Sequence, residues 1–175
     1  MSAVVDESER LNRIFNGLLD YSRPPRLHLE KVSLKPFLDD VLMLMRHQDS
    51  YHSGIQMEAL YQDKETEVMI DPEYMKQVLM NVMNNAFQAM SAGGVVKTDF
   101  HTNRLSVIVS VEDTGGGIDK KVLNSIFVPF KTTKSKGTGL GLAHAYKIVS
   151  QHGGQIVIET KKGKGTRIEV HIPKV

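Results

Sequence analysis

Two hairpin signatures constrain the fold more than anything else in this sequence. "VVKTDF" (Val95 to Phe100) and "LSVIVSVE" (Leu105 to Glu112) are β-rich runs separated only by the polar "HTNR". "QIVIET" (Gln155 to Thr160) and "TRIEVHI" (Thr166 to Ile172) are joined by the glycine-lysine turn "KKGKG". Connections this short join antiparallel strands, because parallel neighbours need a crossover of about a dozen residues or more. Helical patterns stand between and before these hairpins without a strict βαβ alternation. The order therefore predicts an α+β fold, a two-layer sandwich, and excludes a Rossmann arrangement.

Ser33 is the expected N-cap of a helix with Pro36 in its first turn, running to about Asp49. "IQMEALY", Ile55 to Tyr61, alternates like a strand. Asp71-Pro72 opens a second helix reaching about Met90, with Asp at the cap and Pro at the first helical position. A short helix is expected near Lys120 to Ser125, and another from about Gly139 to Gln151, stopped by Gly153-Gly154. Ahead of all of these, Leu11, Ile14, Phe15, Leu18 and Leu19 recur on one stripe of an amphipathic helix over Glu7 to Ser22. Pro24-Pro25 ends it. The break marks a boundary, with a helical unit over residues 1–25 and the main domain over 26–175.

With 175 residues, 41% of them hydrophobic and a net charge of +2, the chain suits one core and carries no basic block for nucleic acid. Absent cysteine excludes disulfides, thiolate zinc sites and a thiol nucleophile. The longest apolar run, "VLMLM", is far too short to span a bilayer, and no secretory signal is seen. This chain is therefore expected to be soluble, in the cytoplasm and without membrane contact, whether its parent protein is membrane-anchored or soluble.

The chemistry lies in glycine loops and amides. "GTGLGL", Gly137 to Leu142, runs directly into a helix, and "DTGGGI" follows a strand. Neither fits the P-loop or the dinucleotide fingerprint. A glycine loop at a helix N-terminus nonetheless offers backbone N–H groups and a favourable dipole to phosphate. Asp113, at a strand end with Gly115 and Gly117 behind it, is an acceptor suited to an exocyclic amine, although Asp-x-Gly alone is an ordinary turn. Asn81 and Asn85 share a helical face. Mid-helix Asn is mildly unfavourable, and amide oxygens can complete a Mg²⁺ shell, although solvated amides are an equal alternative.

Taken in order, these segments resemble a family. "QVLMNVMNNAFQA" resembles the N box, "DTGGGI" the first glycine box, "FVPF" the F box and "GTGLGL" the second glycine box of sensor histidine kinases. "GKGTRIEVHIP" is similar to their closing strand pair. The likeness spans about Lys31 to Val175, and its wording is nearest the nitrogen-regulatory and sporulation-type kinases. The implied fold is the Bergerat-type ATP-binding module shared with type II topoisomerases, mismatch-repair and chaperone ATPases: a mixed, mostly antiparallel sheet packed on three helices. "ESERLNRIFNGLLDYSRPP" resembles the second helix of the dimerisation and phosphoacceptor hairpin.

The resemblance implies ATP and Mg²⁺ as ligands. Asp113 would take the adenine amine, with Gly115, Gly117 and Ile118 shaping the pocket and Thr166 near the base. Asn85 would hold Mg²⁺ and Asn81 would support the phosphates, both in catalytic positions. Phe127 to Lys136 would form a lid including Phe130, with Lys134 a phosphate contact. Gly137, Thr138, Gly139, Leu140, Gly141 and Leu142 would hinge it and face the triphosphate. ATPases of this superfamily carry Glu at the position of Asn81, and an amide cannot take a proton from water. The implied chemistry is phosphoryl transfer to another nucleophile with little hydrolysis. None of His28, His47, His52, His101, His144, His152 and His171 is followed by an acid, so no phosphoacceptor is recognised. The chain is therefore expected to be a fragment that does not autophosphorylate in cis. Its partners would be the parent's phosphoacceptor hairpin and, through the full-length protein, a response regulator. A serine-protein kinase and a nucleotide-responsive interaction module are the alternatives.

Overall fold

The computed structural model describes residues 15, 18, 26–63, 65–132 and 137–174. The expected first helix, apart from Phe15 and Leu18, lies outside the described residues, as does Lys134. From Glu30 onward the elements are β1 (Glu30–Ser33), α1 (Leu34–Met45), β2 (Ile55–Ala59), β3 (Glu67–Ile70), α2 (Pro72–Gln88), β4 (Gly94–Thr102) and β5 (Ser106–Asp113). They continue with α3 (Lys120–Leu123), α4 (Gly141–Gln151), β6 (Gln155–Lys161) and β7 (Gly165–Pro173).

Both hairpins form as expected. They sit in a five-stranded sheet of order β2-β4-β5-β7-β6, in which only β2 and β4 are parallel. Inward positions alternate along each strand: Val107, Val109 and Val111 on β5 face the same side as Ile168, Val170 and Ile172 on β7. The helices cover that side. On α1, Leu34, Phe37, Leu38, Val41, Leu42 and Met45 repeat at helical spacing and are buried. On α2, Met75, Val78, Leu79, Val82, Met83, Ala86 and Phe87 do the same. On α4 the buried face is Ala143, Ala145, Ile148 and Val149. The result is the expected sandwich of a mixed, mostly antiparallel sheet on three helices, with α3 a single extra turn.

Four local features differ from the sequence reading. A second, two-stranded sheet pairs β1 with β3, Glu30 opposite Ile70, in strands of four residues too short and too charged to show alternation. Helix α1 stops at Met45, because His47 and Gln48 donate to carbonyls three residues back and tighten the last turn. Ser33 caps α1 by backbone position only, without a side-chain hydrogen bond. Helix α4 begins at Gly141, since Gly139 has φ 70°, outside the right-handed helical region.

Helix α2 is held more firmly at its start. The Asp71 carboxylate, 5% exposed, accepts from Glu73 N–H and Tyr74 N–H at 3.1 Å each through Oδ1, and from His28 N–H at 2.8 Å through Oδ2. The Asp71 N–H donates to His152 Nε2 at 3.0 Å, at the C-terminus of α4. One residue thus joins the segment entering the domain, the start of α2 and the end of α4. On the outer face of the sheet, Arg167 Nε donates to Glu169 Oε1 at 2.9 Å, and Glu169 Oε2 meets His171 Nε2 at 3.0 Å.

Candidate functional site

Between α2, the loop after β5 and the start of α4 lies a cavity of about 960 Å³. Asn81 and Asn85 reach it from α2, Asp113, Gly117 and Ile118 from the first glycine loop, and Thr166 from β7. Gly137, Thr138, Gly139, Gly141 and Leu142 close the other side. The structure therefore brings together most residues singled out from the sequence.

One end is built around Asp113. It ends β5, is 7% exposed, and is paired across the sheet with Thr166, itself 6% exposed. Gly115 N–H donates to Asp113 Oδ1 at 2.8 Å, fixing the carboxylate from behind; Gly115 itself is not on the cavity wall. The glycine loop is tied to the β6–β7 turn: Gly163 N–H donates to Gly116 C=O at 2.7 Å, and Ile118 N–H to Thr160 Oγ1 at 2.8 Å. At the rim, Asp119 accepts from Lys121 N–H at 3.0 Å and pairs with Lys162 at 3.2 Å. These two bonds, the backbone one first, hold its carboxyl below the ordinary aspartate range.

The other end is built from amides and a helix start. Asn85 Nδ2 donates to the Asn81 carbonyl at 2.9 Å, so the amide oxygen is the end turned away from its own helix. Gly141 opens α4 against Asn81. A Cβ there would stand 3.2 Å from Asn81 Oδ1, so glycine lets the helix N-terminus and the amide approach closely. Gly139 meets the F box: Phe130 N–H donates to Gly139 C=O at 3.1 Å, and a Cβ on Gly139 would lie 2.6 Å from the Phe130 carbonyl carbon.

Besides Gly115, two expected contacts are placed elsewhere. Phe130, at φ 64°, is 54% exposed and off the cavity wall; its backbone, not its ring, engages the glycine loop. Leu140 is buried in the protein, 4% exposed, and does not line the cavity. Phe127 instead stacks on Tyr146 with ring centroids 4.8 Å apart. Wall residues not singled out from the sequence include Asn84, Gln88 and Lys162. Asn84 and Gln88 lie three and seven residues after Asn81, so helical spacing alone would have found them. Lys162 lies in the basic turn read only as a connector. Among the described residues no group of three or more His, Cys, Asp or Glu can hold a metal.

A sandwich of this topology, with an Asp-glycine loop at one end of the cavity and paired amides facing a helix start at the other, defines a nucleotide-binding ATPase domain. The chain belongs to the histidine kinase-, DNA gyrase B-, and HSP90-like ATPase family, whose model matches residues 70–175. It is 38% identical over 167 residues to the sensor histidine kinase ZraS of Escherichia coli (strain K12), covering 95% of this chain and 36% of ZraS. It is 36% identical over 172 residues to sporulation kinase A of Bacillus subtilis (strain 168), covering 98% of this chain and 28% of that kinase. The chain thus spans about a third of the curated relatives it matches. Among solved structures, the catalytic domain of histidine kinase ThkA is 31% identical with a TM-score of 0.74, covering 84% of this chain and 96% of that one. ThkA in complex with the response regulator TrrA is 28% identical with a TM-score of 0.81, covering 99% of this chain and 50% of that one. No helix of the described residues is long and apolar enough to cross a membrane.

Proposed function

We propose that this chain is the catalytic, ATP-binding part of a sensor kinase, which presents the γ-phosphate of ATP to a histidine on a phosphoacceptor hairpin. The observation that carries this reading is the polarity of one cavity. An acceptor pair, Asp113 and Thr166, lies at one end, and the Asn81/Asn85 amides and the α4 N-terminus lie at the other. The base end receives an amine; the helix start and its N–H groups receive phosphate oxygens.

Mg²⁺ fits the donor set. Asn85 supplies a neutral, hard oxygen, and with no carboxylate or imidazole cluster among the described residues, waters and phosphate oxygens would complete the shell. Bound there, the ion would neutralise charge on the triphosphate. The protein's own part is positioning: Asp113 and the pinned glycine loop fix the nucleotide, and Asn81, held against Gly141, orients the phosphate end. An imidazole nitrogen of the hairpin then forms a bond to the γ-phosphorus as the bond to the β-phosphate oxygen breaks and ADP leaves. With an amide at position 81, no base there activates water, so hydrolysis is slow.

The domain boundary near residue 26 belongs to this reading. Its support is that an isolated catalytic domain covers 84% of the chain, whereas the larger ThkA assembly covers 99%. A response regulator would take the phosphoryl group from the hairpin of the full-length protein, and use of ATP would place the reaction in the cytoplasm.

The test is incubation of the chain with labelled ATP, Mg²⁺ and a supplied kinase hairpin. An acid-labile, alkali-stable phosphate should appear on the hairpin, and Asp113→Asn should lower its yield about 10- to 100-fold at subsaturating ATP. Acid-stable phosphate would indicate serine as acceptor. Robust hairpin-independent hydrolysis that survives Asn81→Ala would overturn the assignment.

A further inference from the structure

Asp113, Thr166 and Thr160 form one row across β5, β7 and β6: Asp113 faces Thr166 in one register, and Thr160 faces Thr166 in the next. Asp113 and Thr166 line the cavity; Thr160 does not, and lines with them a second, smaller pocket. The Thr160 hydroxyl has three polar neighbours: Ile118 N at 2.8 Å, the Gly165 carbonyl at 3.1 Å and Thr166 Oγ1 at 3.1 Å. A hydroxyl carries one proton and two lone pairs.

The allocation follows from what each neighbour can do. Ile118 N–H only donates, so it occupies one lone pair of Thr160. The Gly165 carbonyl only accepts, so it takes the single Thr160 proton. The contact to Thr166 is then made through the second lone pair of Thr160, and its proton comes from Thr166. With that proton committed sideways, Thr166 offers the cavity lone pairs alone, beside a carboxylate that also only accepts.

We propose that Thr160 is a positioning residue that fixes the Thr166 hydroxyl as an acceptor, so that the base end selects a purine with a 6-amino group over one with a 6-oxo group. This rests on the reading that the base binds at Asp113. An exocyclic amine brings two hydrogens to two acceptors. A 6-oxo group brings a third acceptor to two groups that only accept, which leaves its oxygen unpaired at that end.

Thr160→Val removes the hydroxyl at nearly constant shape. Thr166 is then free to rotate and donate to an oxo group. The valine also leaves Ile118 N–H without its partner, which loosens the loop and weakens every nucleotide alike. The readout is therefore a ratio: the Kd of ITP over that of ATP, measured by calorimetric titration on the full chain with Mg²⁺. The unmodified chain should favour ATP, Thr160→Val should reduce that preference about tenfold, and Thr160→Ser should retain it. Thr166→Val should itself erode the preference, and adding Thr160→Val in that background should change the ratio no further. Equal weakening of both nucleotides in Thr160→Val, or an intact ratio in Thr166→Val, would overturn the role of Thr160. If the unmodified chain binds neither nucleotide, the assignment of the base end falls, and the selection with it. Binding of ATP without the ratio effect removes only the selection.

Discussion

Asp71→Ala isolates what a single carboxylate does for the helix that carries Asn81 and Asn85. The substitution deletes three accepted bonds, from Glu73, Tyr74 and His28, and keeps the fourth, because the Asp71 N–H to His152 is backbone. Loss of an N-cap costs about 1 kcal/mol. The His28 N–H lies at an exposed residue and is partly rehydrated, so its loss adds roughly 0.5–1.5 kcal/mol. The sum is about 1.5–2.5 kcal/mol, which in a domain of this size lowers Tm by roughly 4–10 °C. Asp71→Asn separates the two parts. Its carboxamide oxygen can still cap Glu73 and Tyr74, but its NH₂ cannot accept from His28, so about half the loss is expected. Thermal and urea unfolding followed by circular dichroism would measure both variants. An alanine variant within about 1 °C of the unmodified chain, or an asparagine variant falling as far as alanine, would refute the reasoning.

Gly139→Ala places a Cβ 2.6 Å from the Phe130 carbonyl carbon and 2.8 Å from Lys131 N, both backbone atoms, at φ 70°. The left-handed conformation alone costs roughly 1–2 kcal/mol, so the glycine loop should part from the F box and ATP affinity should drop about tenfold or more. An unchanged Kd by titration would contradict this. Burial alone would raise the Glu169 carboxyl, but bonds from His171 and Arg167 outweigh it and hold the group below the ordinary value of 4.5. A depressed carboxylate stabilises the fold above its unfolded value, and this contribution is lost as pH falls through its folded one. Melting curves should therefore fall more steeply below about pH 4.5 for the unmodified chain than for Glu169→Gln. Parallel curves would show that the pair adds nothing.

The sequence made the architecture legible where periodicity was long or chemistry local. The two hairpins were plain because short polar turns leave only an antiparallel solution, and α2 because Asp71-Pro72 fixes a start that its apolar stripe continues. β1 and β3 were not, since four-residue strands with charged ends carry no period; their pairing is set by the packing around them. The parallel pairing of β2 with β4 was equally hidden, because nothing local specifies a non-sequential partner. In the site, residue type and spacing alone left Asp113 an ordinary turn residue and Asn81 and Asn85 an even choice. Only the order of the motifs, through the resemblance, gave them roles. Thr160 gained none that way. Its importance lies in register opposite Thr166, which follows from the length of the "KKGKG" turn only once the strands are paired. Phe130 was expected in the lid, and here it is its backbone that meets the glycine loop.

The ties from the first glycine loop to the β6–β7 turn, through Gly116, Ile118 and the Asp119–Lys162 pair, divide the cavity into two unlike halves. The base half is a fixed jaw, already shaped before a nucleotide arrives, so little ordering entropy is lost there on binding. On the proposed reading, the opposite jaw is the one that turns, at its glycines. A spent nucleotide then keeps every contact of the fixed jaw after the γ-phosphate has gone and loses only what the turning jaw supplied. Retention of the purine and timing of product release are then governed by separate parts of the chain. A change to the glycines around Gly139 would alter how often the cycle turns without altering which nucleotide enters it.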